Sequence, residues 1–151
     1  MTFQEVPFGY VLRFFHGEEI VAGLTAFCRE RSLTAGWVNG LGALARAEIG
    51  YYDLETRTYL KLQIEEDVEL APLVGNLSRL DGAPFFHLHA TLGRKNFSGW
   101  AGHLFSGTAG ATVEIAMFAF PGMSLERRRD DAVGLNLWSL PGGGAPGTPG
   151  T

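Results

Sequence analysis

Three of the chain's four histidines, His87, His89 and His103, stand close together in the sequence. The segment Phe85-Phe86-His87-Leu88-His89-Ala90-Thr91-Leu92 alternates with period 2. On a strand, Phe86, Leu88, Ala90 and Leu92 therefore face one side, and His87, His89 and Thr91 face the other. If the chain returns antiparallel through a turn centred on Lys95, His103 lies opposite His87 and Ala101 opposite His89. Directly opposed Cβ atoms are about 4.5–5.5 Å apart, so the three imidazoles converge on one face. Gly99 and Ala101 on that face leave room above it. Three neutral imidazoles suit a divalent metal, zinc foremost, with a fourth position open to water or a ligand. The alternative is a polar network of solvated or hydrogen-bonded histidines. A one-residue slip in register would carry His103 to the other face.

Other residues offer less. Glu69 and Glu114 are the candidate ligand-site acids, and either is a candidate general base beside a metal. Arg127-Arg128-Arg129 is the one basic cluster, and its three arginines are the candidate phosphate contacts. Asp130 and Asp131 follow at once and largely cancel its field, which favours a solvated face. Gly40-Leu41-Gly42-Ala43-Leu44-Ala45 has the spacing of a dinucleotide fingerprint, but that motif needs a strand before it and a helix opening at the glycines. Here the order is reversed, so the segment reads as a tight turn or a close backbone contact. Gly107-Thr108-Ala109-Gly110 lacks the Gly-Lys-Ser/Thr ending of a phosphate loop and reads as a turn.

One helix is legible, from Glu18 to about Arg31. Ile20, Val21, Leu24, Phe27 and Cys28 make its apolar face. Glu18 and Glu19 fall in the first turn and Arg29 and Arg31 in the last, both favourable to the helix dipole. Cys28 belongs to the apolar stripe, so it reads as packing and not as a reactive thiol. Strands are expected at Tyr10–Phe15, Glu48–Asp53, Tyr59–Ile64, Val68–Leu77, Phe85–Leu92, Ser98–Phe105 and Thr112–Phe120. Strand, helix and then a run of hairpins imply an α+β domain with a central, largely antiparallel sheet and one main amphipathic helix near the N-terminus. Residues 1–140 form one domain on this reading. The Gly/Pro-rich 141–151 stretch has too little apolar surface to offset ordering entropy and is expected to be a disordered tail.

Composition narrows the function classes. The chain has 12 basic and 16 acidic residues, for a net charge of -4. No basic face of the kind a nucleic-acid-binding module shows is apparent. No apolar run approaches the ~20 residues that span a bilayer, so no membrane partner is expected. No signal peptide is evident. A single cysteine cannot form an internal disulfide, which fits a cytoplasmic protein.

His87-Leu88-His89-Ala90 followed by Gly102-His103-Leu104 resembles the PPC (plants-and-prokaryotes-conserved) domain family, the domain that accompanies AT-hooks in plant nuclear proteins and stands alone in prokaryotes. The likeness takes in Gly17-Glu18, Trp37 to Leu44, Glu69-Leu70, Leu73-Val74-Gly75-Asn76 and Thr112-Val113-Glu114-Ile115, so that it covers roughly residues 8–140. It implies a compact α+β domain, a homotrimer and a candidate DNA-binding or transcription-associated role, with His87, His89 and His103 at the metal-ligand positions of prokaryotic members. No Arg-Gly-Arg-Pro AT-hook occurs, and Asp67-Val68-Glu69-Leu70 stands where plant members carry a basic-aromatic motif. Three functions follow for test: a DNA-associated regulatory domain, a metal-dependent small-molecule enzyme or sensor using the histidines, and a trimeric scaffold without chemistry. Affinity for DNA depends on Lys and Arg neutralising phosphates, so the acidic charge weighs against autonomous binding. Trp100, Phe118 and Phe120 add aromatic surface that subunit contacts would cover.

Overall fold

Period-2 alternation along most of the chain produces an antiparallel sheet in the computed structural model, which describes residues 1–141. Residues 142–151, most of the expected tail, lie outside the described residues. The elements are β1 (Thr2–Val6), β2 (Gly9–Phe15), α1 (Ile20–Glu30), β3 (Gly36–Asp53), β4 (Thr58–Ile64), β5 (Val68–Leu80), β6 (Ala83–Gly93), β7 (Gly99–Ala119), β8 (Arg127–Asp130) and β9 (Leu135–Trp138). Seven strands pair in the order β1-β2-β7-β6-β5-β3-β4, and β3 also pairs with β7. That extra pairing closes β3, β5, β6 and β7 into a ring, so these four strands have no free edge along the closure. β8 and β9 form a separate hairpin. The α+β reading holds: one helix, near the N-terminus, accompanies a largely antiparallel sheet.

Helix α1 is shorter than the periodicity suggests because its two glutamates are used before it begins. Glu19 is the N-cap, and its carboxylate accepts from the Ala22 amide. It also accepts from the Gly107 amide at 2.9 Å, which ties the helix start to β7. Glu18 pairs with the N-terminal ammonium of Met1 and accepts from the Phe15 amide. Arg29 alone occupies the last turn. The buried face of Ile20, Leu24, Phe27 and Cys28 joins Phe14, Val38, Leu88, Leu92 and Met117 in one apolar core. Burial pushes the Cys28 thiol up to about 12, so it stays protonated and packs against Met117.

Gly107–Gly110, expected to be a turn, and Gly40–Ala45, expected to be a tight turn or a close backbone contact, are both strand interiors. Gly107 to Gly110 lies within the unbroken β7, and Gly40 to Ala45 lies within β3. Both are places where β3 and β7 bend against each other, with register shifts between Gly42 and Leu44 and between Leu44 and Arg46. At Gly42, φ is +148°, and a Cβ would stand 2.1 Å from the Thr112 carbonyl oxygen. Glycine is needed there for close backbone approach, the second of the two readings the sequence offered.

Candidate metal centre

Strand β6 places its side chains as the alternation requires. Phe86, Leu88, Ala90 and Leu92 are buried, while His87 and His89 project from the opposite face. The loop to β7 spans residues 94–98, held by the Asn96 side chain, which accepts from the Ser98 amide at 3.0 Å. Its centre is Asn96, one residue beyond the expected Lys95. His103 therefore pairs with His89, not with His87, and Thr91 pairs with Ala101. The change moves the partner by two positions, which preserves the face. Gly75 on β5 supports the other side: it pairs with Leu88, and a Cβ there would meet the His87 carbonyl oxygen at 2.2 Å.

The three imidazoles converge. Ring centroids lie 5.1 Å (His87–His89), 5.3 Å (His87–His103) and 5.7 Å (His89–His103) apart. One ring nitrogen from each falls within 4.8 Å of the others. The Nε2 atoms of His87 and His89 stand 3.2 Å apart, close to the ~3.3 Å that two imidazole nitrogens adopt around a tetrahedral zinc at its usual bond length. Nδ1 of His103 is buried with no hydrogen-bond partner, and an orphaned buried nitrogen of this kind calls for a partner.

The electrostatics favour the ligating form. Burial, reinforced by His87, His89, Arg127 and Lys61, lowers the His103 pKa to about 4. Burial, then the Arg127 charge and His89, push His87 down as well. Neutral imidazole is the form that binds metal. Tyr59 and Phe105 wall the site, with centroids 5.4 and 4.6 Å from His103. Beyond them Lys61 is paired with Glu48 at 2.6 Å.

The other candidates lie elsewhere. Glu69 is exposed on β5 and pairs with Gly93, four residues along β6 from His89. Glu114 pairs with Arg13 and Leu41 at the far end of β7 and lines a different groove. Neither belongs to the histidine cluster. The fourth histidine, His16, bonds the Gly110 carbonyl. Of the arginine run, Arg128 and Arg129 are exposed, but Arg127 is only 8% exposed and turns inward. Its guanidinium donates to Ser78 Oγ (2.7 Å), the Asn136 carbonyl (2.8 Å) and Asn76 Oδ1 (2.9 Å). The sequence alone presents the run as one surface. The missed signal was the alternation Leu125-Glu126-Arg127, which puts Leu125 and Arg127 on the same buried side.

A ring of antiparallel strands with one flanking helix and three histidines on two paired strands defines a small α+β domain with a candidate metal centre. The chain belongs to the Plants and Prokaryotes Conserved (PCC) domain family, whose profile matches residues 2–121. No curated protein matches the sequence. Among solved structures, the metal-containing protein of Archaeoglobus fulgidus is 35% identical, with a TM-score of 0.82 over 93% of this chain and 99% of that one. The plant- and prokaryote-conserved protein of Pyrococcus horikoshii is 33% identical, with a TM-score of 0.81 over 87% and 90%. A candidate DNA-binding protein from Ralstonia eutropha JMP134 is 27% identical, with a TM-score of 0.86 over 92% and 96%.

Proposed function

We propose that this protein is a stand-alone metal-binding domain in which His87, His89 and His103 hold one divalent cation, zinc by ligand type, and that it acts on or senses a small molecule at that site. The observation that carries the reading is the convergence of three ring nitrogens within 4.8 Å, with the His103 Nδ1 buried and unpartnered. The metal-containing relative from Archaeoglobus fulgidus supports it. When bound, the metal would supply a Lewis-acid position with a coordination site left for a ligand. The chain's own part is to keep two of the imidazoles neutral by burial and to hold all three on adjacent strands.

A DNA-associated role is the second reading, favoured by relatives from Ralstonia eutropha and Bacteroides thetaiotaomicron that carry a DNA-binding designation. Charge weighs against it, because the chain carries a net charge of -4 and only Arg128 and Arg129 of the arginine run are exposed, Arg127 being turned inward. A homotrimer completes the proposal, its contacts drawn from the apolar face that β2, β3 and β7 leave exposed. The deciding experiment is metal analysis of the purified protein. About one divalent metal per chain is expected, with His89→Ala losing most of it. A wild-type protein that stays metal-free after incubation with zinc would refute the reading.

A further inference from the structure

A cleft of about 440 Å³ opens beside the histidines, between the helix side (Val21, Thr25), β6 and β7, and the β8–β9 hairpin. Its volume lies in the ~300–1,000 Å³ range of small-molecule sites. Most of the wall is apolar, supplied by side chains such as Phe85, Phe105, Leu135 and Leu137. No Asp or Glu lines it. Arg127 does line it, and all three of its hydrogen-bond acceptors are neutral.

That arrangement leaves a charge without an answer. A guanidinium has five N–H donors, and Arg127 uses three. Among the described residues it makes no ion pair, whereas Arg79 and Arg94 each meet a glutamate. Its position is fixed by Ser78 and Asn76 on β5 and by the ring of Phe85, 5.0 Å from the guanidinium carbon. A buried cation is costly unless it is paired. One N–H on each Nη is left over, on a guanidinium held at the polar corner of an apolar cleft, and a planar carboxylate is the oxyanion that answers its shape and charge.

We propose that this cleft binds a small carboxylate with an apolar body, the carboxylate on Arg127 and the body against Phe85, Phe105 and Leu137. The proposal goes beyond the metal reading and does not need it, since Arg127 and the apolar walls are present whether or not the histidines hold a cation. His87 and His103 also line the cleft, so a bound metal would lie beside the ligand.

The test is calorimetric titration of the full chain with benzoate and with its neutral isostere benzamide, on zinc-loaded and chelator-treated samples whose metal content is measured in parallel. Benzoate should bind once per chain, and benzamide about tenfold more weakly or worse, because a charged hydrogen-bonded contact contributes more than the ~1.4 kcal/mol that a factor of ten requires. Arg127→Gln should remove the preference. Because Arg127 also braces the fold, Thr25→Trp gives an independent check: it fills the helix side of the cleft, leaves Arg127 in place and should weaken benzoate by about tenfold as well. Equal binding of the two probes, no saturable benzoate binding, or full benzoate affinity in Thr25→Trp would each overturn the proposal. Benzoate preference in a protein that takes up no zinc would sustain this inference while refuting the metal reading. Zinc uptake without benzoate preference would do the reverse.

Discussion

Burial of His103 against Tyr59 and Phe105, together with the positive groups around it, depresses its pKa to about 4, well below the free value of 6.5. In metal-free protein this depression links folding to pH. Between pH 6.5 and about 4 the unfolded chain takes up a proton on this residue and the folded chain does not. Stability is therefore fully present above 6.5 and falls as pH drops through that window, because the unfolded state binds more protons there. His87, lowered in the same direction, adds to the slope. Urea titrations of chelator-treated protein at a series of pH values should show the midpoint falling across this range. His103→Gln should have a shallower dependence, and an identical pH profile for the two proteins would exclude His103 as a source of it. Much of this site was legible in advance. The His-x-His alternation and the return strand predicted three imidazoles on one face, and the expected turn centre was wrong by one residue, Lys95 for Asn96. An error of one in a turn centre displaces the cross-strand partner by two, so the face survived although the pairing did not. Arg127 was hidden because a run of three arginines reads as solvent-facing, while a strand sends alternate members to opposite sides.

At the scale of elements, the helix and most strands were legible because each has one apolar face. The long continuity of β3 and β7 was not. Glycine clusters at Gly40–Gly42 and Gly107–Gly110 suggest turns, but in a closed ring the same residue serves where two bent strands press together. The hairpin of β8 and β9 was not legible either, since its strands are only four residues long and every residue of β8 is charged. The ring geometry carries its own prediction. Gly42→Ala places a Cβ against the Thr112 carbonyl at a backbone conformation that alanine rarely adopts. It should cost about 2 kcal/mol, which for a chain of this size lowers the melting temperature by about 4–8 °C. A Gly42→Ala protein as stable as wild type would mean that β3 and β7 do not cross so closely there.

For the whole molecule, one face remains apolar and open. Val11, Trp37, Leu41 and Phe118 are each more than a third exposed. Trp37 and Phe118 are register partners on β3 and β7, and Phe8 stacks on Phe118 at 5.0 Å. Trp100, by contrast, is half-buried beneath Arg94 and takes no part. Light scattering is expected to report three times the 16.4 kDa chain mass, and Phe118→Glu to shift the population toward monomer, since a charge in a buried interface is costly. A wild-type monomer at micromolar concentration would remove the trimer. Duplex DNA should bind no tighter than about 10 μM at physiological salt, and Arg128→Ala with Arg129→Ala should barely alter the salt slope. Tight, salt-sensitive binding lost in that double variant would instead locate a basic face on β8. Among the described residues, no helix is long and apolar enough to cross a membrane.

The β8–β9 hairpin begins after residue 121, where the family match ends. Its strands nevertheless supply Arg127, Leu135, Asn136 and Leu137 to the cleft, while all three histidines come from β6 and β7 within the match. On the proposed reading, the metal ligands and the cation of the cleft thus come from different lengths of chain. Arg127 ties the two lengths together, through Ser78 and Asn76 on β5 and through the charge that helps depress His87 and His103, so a hairpin of different sequence would redecorate one wall and retune the imidazoles with it.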